Sequence, residues 1–164
     1  MIGPITRSAI RFRVATAEDE PFLVLLYAST RADEMAQVPW NDEQKAAFLQ
    51  QQFSAQKHHY QTSYPDCQFL VIEIDGTPAG RLYLDRDAET LHVIDISLVT
   101  SWRGRGIGGL LLEEMLREAR SNGKSVGIYV EHFNPARRLY DRLGFREMET
   151  VGLYHRMEWR SSFS

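Results

Sequence analysis

Between Ser101 and Gly109 the chain reads SWRGRGIGG, with four glycines in six residues and arginines at 103 and 105. An apolar run, LHVIDISLV, precedes it and a second, LLLEEMLREA, follows. That order puts the glycines at a strand-to-helix corner. The start of a helix presents unpaired amides and the positive end of the dipole. Glycines remove the Cβ atoms that would keep a ligand away from those amides, and the combination makes an anion site, most naturally for phosphate. Arg103 and Arg105 add charge at its rim. One or two glycines are explained by a tight turn alone; four at a helix start fit a phosphate cradle better.

Gly104, Gly106 and Gly109 satisfy the G-x-G-x-x-G dinucleotide pattern, but that pattern belongs at the first strand–helix corner of a doubly wound sheet, with an acidic partner about 20 residues on. Here the corner follows several strands, and the nearest acidic strand-end residue, Glu131, comes late. A P-loop is excluded because no Gly-Lys-Ser/Thr follows. RGRG is too short for an arginine–glycine RNA-binding tract, and the formal net charge is −3. Asp33, Glu34, Asp42 and Glu43 cluster around Trp40 and could hold a cationic amine, although helix-cap and solvent-facing carboxylates explain them more cheaply. Gln52, Gln56 and Tyr60 could line a polar groove. His58 and His59 are helix neighbours pointing about 100° apart, without H-E-x-x-H spacing, so no metal site is expected.

The elements that must position these residues follow from periodicity. IRFRVAT alternates as a strand. TAED forms a capping box from Thr16 to Asp19 and opens a helix with Phe22, Leu25, Leu26 and Ser29 on one face. Asn41 with Gln44 caps a second, longer helix carrying Ala46, Leu49, Phe53, Gln56 and Tyr60 as a stripe. Three strands follow, QFLVIEID, RLYLDRD and ETLHVIDISLV. A helix from about Gly106 to Ser121 buries Leu111, Met115 and Ala119 and stops at Asn122-Gly123. SVGIYVE is a strand, NPARRLYDRLGF a short helix with Pro135 in its first turn, and REMETVGLYHRMEW a closing hairpin. The order β-α-α-β-β-β-α-β-α-β-β gives a mixed sheet of the α/β (α+β) class.

The 164 residues suffice for one domain with a core, read as 10–164 behind a tail at 1–9. A hydrophobic fraction of 43% and a charged fraction of 25% are those of a soluble globular protein. The lone Cys67 excludes an internal disulfide and fits a reducing compartment. The longest early apolar run, Phe22 to Ala28, is too short to span a bilayer, and no secretory signal is expected. A cytoplasmic location, with neither nucleic acid nor membrane as partner, is expected; a homodimer is compatible with the sequence.

The segment Arg103, Gly104, Arg105, Gly106, Ile107, Gly108 resembles the Arg/Gln-x-x-Gly-x-Gly/Ala signature of the GNAT superfamily of N-acetyltransferases. NPARRLYDRLGF is similar to the family's Asn, Ala, Leu-Tyr, Gly-Phe pattern after the next strand. The resemblance covers roughly residues 10 to 160. It implies the GNAT fold: a mostly antiparallel sheet of six to seven strands, splayed between the fourth and fifth, with four helices. It also implies acetyl-CoA as acyl donor, without a metal, its pyrophosphate on the amides of Gly104 to Gly109 and its pantetheine along backbone groups near Ile96 and Leu98. Asn134 and Tyr140 would contact the cofactor from the other side. In many members the tyrosine follows the asparagine by seven residues; here the gap is six, and Tyr140 is fixed by its distance to Gly144-Phe145.

Acetyl transfer needs a neutral amine, stabilisation of the developing oxyanion and a donor for the departing thiolate. Tyr140 is the natural donor. In some members a glutamate base stands eleven residues before the signature arginine, and that position is His92 here, an imidazole that titrates near neutrality. Asp95 has the opposite strand parity unless a bulge intervenes. The expected activity is direct N-acetyl transfer to a small-molecule or peptide amine of unknown identity. A protein N-terminal acetyltransferase, a non-catalytic CoA-binding module and a dinucleotide-dependent oxidoreductase are the alternatives.

Overall fold

A computed structural model describes residues 9–131 and 136–162. The N-terminal residues 1–8, Asn134 and Pro135 lie outside the described residues. A seven-stranded sheet runs in the order β1-β2-β3-β4-β5-β7-β6. Its strands are β1 (Ile10–Val14), β2 (Gln68–Ile74), β3 (Thr77–Arg86), β4 (Thr90–Leu98), β5 (Ser125–Glu131), β6 (Arg146–Val151) and β7 (Tyr154–Trp159). Every pairing is antiparallel except β4 with β5, which is parallel. The parallel pair is joined by the crossover helix α4 (Ile107–Ser121), as parallel neighbours require. The other helices are α1 (Glu20–Thr30), α2 (Ala32–Ala36), α3 (Asp42–Ser63) and α5 (Arg137–Arg142). The four expected helices are present, and the short α2 makes a fifth among the described residues.

The two faces of the sheet do different work. Leu82, Leu84, Leu91 and Val93 point to the α4 side, where they pack with Leu111, Leu112, Met115 and Ala119. Arg81 and Tyr83 alternate with Leu82 and Leu84 along β3 and so face the opposite side. There Leu23 and Tyr27 of α1 bury themselves with Phe53 of α3. The inward face of α1 is therefore Leu23, Leu26 and Tyr27, while Leu25, expected inside, is 66% exposed.

The helix starts match the capping signals. The Asn41 side chain accepts from the Gln44 amide at 2.8 Å, and Gln44 accepts from the Asn41 amide at 3.0 Å. Asp19 accepts from the Thr16 amide at 2.7 Å and also pairs with Arg13, at 2.7 and 2.8 Å. Arg13, the Thr16 amide and the Thr16 hydroxyl together hold the Asp19 carboxyl down to about 2, against the opposing cost of burial. Among the described residues no helix is long and apolar enough to cross a membrane.

Candidate active site

The corner after β4 holds its glycines in two backbone conformations. A single 3-10 turn, Thr100–Trp102, leads into Gly104 at φ +71° and Gly106 at φ +78°. Side chains disfavour that left-handed region. A Cβ placed on either glycine would meet nothing within 4 Å, so the space in front is open. A Cβ on Gly108 or Gly109 would stand 3.5 or 3.7 Å from Leu139 of α5, an ordinary contact, so packing does not demand glycine at either position. The first helical hydrogen bond runs from the Leu110 amide to the Gly106 carbonyl at 3.2 Å, and no side chain caps the turn. The amides of Ile107, Gly108 and Gly109 precede it, free for an anion. Ile107 itself is buried, so only its backbone is available.

The two arginines are already engaged. Arg103 donates from Nε to the Leu98 carbonyl at 2.9 Å and from Nη2 to the Ser29 hydroxyl at 3.5 Å. Arg105 lies over the Trp102 ring at 4.3 Å, with its Nη2 buried and lacking a hydrogen-bond partner.

β4 and β5 pair from Thr90–Ser125 to Val93–Ile128 and no further. Beyond that point the segments Ile94–Leu98 and Tyr129–Glu131 are unpaired with each other, which is the expected splay. A bulge marks its start: Leu84 stands opposite Val93 and Tyr83 opposite Asp95, leaving Ile94 without a partner on β3. The extra residue flips the alternation. His92 faces Asp85, Asp95 faces Tyr83 and Ser97 faces Arg81, so all three β4 side chains share the α3 side of the sheet.

Two cavities lie on that side. One, of about 160 Å³, sits at the root of the splay, lined by Tyr64, Asp85, His92, Ile94, Tyr129 and Arg156 among others. In its wall His92 Nε2 lies 2.9 Å from Asp87 Oδ2. That contact, with the amides of Glu89 and Thr90, lowers the Asp87 carboxyl to about 2. The other cavity, of about 240 Å³, lies under α1 and α3 and is walled by Leu23, Phe53, Gln56, Tyr60, Phe69 and Arg81 among others.

Between them runs a buried polar network. Arg81, 3% exposed, donates from Nη2 to Asp95 at 2.5 Å and to Gln56 at 2.8 Å. Ser97 donates to the other Asp95 oxygen at 2.9 Å, and the Tyr60 hydroxyl approaches at 3.5 Å. Burial, aided by the Asp95 charge, pushes the Tyr60 phenol well above its ordinary range. Tyr140, on α5 and packed edge-on against Phe145, is buried. Burial first and the Asp95 charge second push its phenol up to about 12. Asp95 and Tyr140 therefore share one low-dielectric region.

Comparison with known proteins places the chain. The model of the acetyltransferase (GNAT) family matches residues 26–145. The chain belongs to that family. An uncharacterised N-acetyltransferase of Methanocaldococcus jannaschii is 33% identical over 54% of this chain and 43% of its own. An N-alpha-acetyltransferase of Sulfurisphaera tokodaii is 26% identical over 55% of this chain and 63% of its own. The chain thus spans less than two thirds of either curated relative. The crystal structure of a PaiA N-acetyltransferase from Thermoplasma acidophilum in complex with coenzyme A superposes with a TM-score of 0.68. It covers 92% of this chain and 98% of that one, at 22% identity, and so shares the fold.

Within this GNAT frame, Ile96 and Leu98 lie on the stretch of β4 released from β5, His92 on the paired stretch before it, the glycine corner after it and Tyr140 on α5. Asn134 lies outside the described residues. The carboxylates around Trp40 belong to helix starts: Asp33 and Glu34 open α2, Asp42 and Glu43 open α3, and Trp40 packs on Phe48 at 5.3 Å. Sequence reasoning missed Arg81, Asp87, Tyr129 and Arg156. The turn residues after Asp87 were a visible signal; the others need the sheet register.

Proposed function

We propose that this chain is an acetyl-CoA-dependent N-acetyltransferase that passes the acetyl group directly to an amine. The observation that carries the reading is the pair of open left-handed glycines before the free first-turn amides of α4, next to a β4 strand whose edge is released from β5. The amides from Gly104 to Gly109 hold the pyrophosphate, with Arg103 and Arg105 beside them. The released edge near Ile96 and Leu98 takes the pantetheine as a pseudo-strand. Tyr140 approaches the cofactor from α5. Acetyl-CoA supplies the activated thioester.

The chain's own residues handle charge and protons. A backbone amide on the released edge stabilises negative charge growing on the carbonyl oxygen. As the C–N bond forms and the C–S bond breaks, His92 takes the amine proton and the Tyr140 hydroxyl meets the departing sulfur. A phenol near 12 keeps its proton at neutral pH. Full transfer to a thiolate of reference pKa about 8.5 is uphill by about 5 kcal/mol, so Tyr140 acts by hydrogen-bonding the sulfur as it leaves.

The acceptor is a small-molecule or peptide amine. The name of the Sulfurisphaera relative favours an α-amine at a peptide N-terminus as the second reading. Binding tests the cofactor directly. CoA and acetyl-CoA should raise the melting temperature, because a ligand specific for the folded state stabilises it by mass action, whereas NAD and NADP should not. Stabilisation by NAD alone would overturn the reading. CoA binding without turnover on any amine would leave a CoA-binding module.

A further inference from the structure

Asp87 is held more firmly than its exposed position suggests. It follows β3 directly, and its amide donates to the Thr90 carbonyl at 3.0 Å. Its Oδ1 accepts from the amides of Glu89 and Thr90 at 2.8 and 2.7 Å, and its carbonyl accepts from Lys124 Nζ at 2.7 Å. The turn thus fixes one carboxylate oxygen and aims the other, Oδ2, at His92 Nε2, 2.9 Å away. A carboxylate only accepts, so this nitrogen must carry the hydrogen. In the neutral ring the lone pair is then on Nδ1.

The Nδ1 atom is on the side toward β5. A Cβ added to Gly127, the partner of His92 on β5, would lie 3.7 Å from Nδ1, at ordinary contact distance. The cavity at the root of the splay brings up the remaining polar groups: Asp85 from β3, Tyr64 after α3, Tyr129 from β5 and Arg156 from β7.

We infer that Asp87 is a positioning residue that locks His92 in the Nε2–H tautomer, with Nδ1 presented to the acceptor amine at the splay. When the amine nitrogen bonds to the acetyl carbon, its N–H bond breaks and the proton moves to Nδ1. Asp87 then stabilises the imidazolium, as an aspartate behind a histidine base does. The inference rests on His92 being the base.

The test uses the full chain with ¹⁵N-labelled histidine. Wild-type His92 should show the Nε2–H pattern when neutral; Asp87→Asn should lose that single pattern and Asp87→Glu restore part of it. Asp85→Asn should leave the His92 pattern as in wild type. With a basic alkylamine as acceptor, Asp87→Asn should lower kcat at least tenfold without raising the KM for acetyl-CoA. Adding Asp87→Asn to His92→Gln should cost nothing further. An unchanged tautomer in Asp87→Asn, or losses that multiply in the double variant, overturns the inference. A His92→Gln enzyme running at full rate would overturn the base assignment instead, and the tautomer would still decide whether Asp87 orients the ring.

Discussion

Asp95 accepts from the Arg81 guanidinium at 2.5 Å immediately after the unpaired Ile94, where β4 parts from β5. The pair ties the bulge to β3 from below, with Arg81 almost wholly enclosed. Removing one partner leaves the other charged and uncompensated, at a typical cost of about 3–5 kcal/mol. Asp95→Ala should therefore lower unfolding stability by that order in urea titration, and Arg81→Met with Asp95→Leu should cost less than Asp95→Ala alone. A loss under about 0.5 kcal/mol, typical of an exposed pair, would show that the pair does not hold the bulge.

Gly106 separates the backbone and ligand roles of the corner. Gly106→Ala keeps the chain in a left-handed conformation that costs a side chain roughly 1–2 kcal/mol. Its Cβ also enters the open space beside the α4 amides. CoA affinity by calorimetry should fall more than tenfold. Affinity within about twofold of wild type, roughly 0.4 kcal/mol, would mean that the glycine serves the turn alone.

Tyr140→Phe removes one oxygen from a buried ring that still packs on Phe145. Turnover should fall on the order of 10², as when one hydrogen-bond donor to a developing charge is lost, with CoA binding little changed. An unaltered kcat would remove Tyr140 from the mechanism.

Asp19 sets a pH window for stability. Its folded value, about 2, lies below the ordinary 3.8, so the carboxylate favours the fold above the unfolded value. That contribution fades as pH falls from about 4 toward 2. It amounts to about 1–2 kcal/mol after allowing for solvent at the partly exposed Arg13. Asp19→Asn should flatten this part of the stability–pH curve; the same slope in the variant would assign acid sensitivity elsewhere.

Much of this architecture was legible because it is local. Asn41 with Gln44 announced α3, the alternation of IRFRV gave β1, and the glycine corner fell between β4 and α4 as read. What escaped depends on pairing. The bulge at Ile94 is a register event between β3 and β4, so the shared face of His92 and Asp95 could not be counted from β4 alone. Arg81 reads as a polar residue in a strand until Asp95 and Gln56 are brought to it. Spacing places Leu25 on one face with Phe22, Leu26 and Ser29, but the fold buries Leu23, Leu26 and Tyr27.

The most direct measurement is acetyl transfer itself, followed by thiol release from acetyl-CoA with mass spectrometry of the acceptor. Amino acids, polyamines, aminoglycosides and N-terminal peptides would serve as acceptors. The site predicts amine-dependent CoA release matched one-for-one by an acetylated amine, and loss of both signals when Gly106→Ala weakens the cradle. CoA release that produces no acetylated amine, or no release with any acceptor despite tight acetyl-CoA binding, would contradict it.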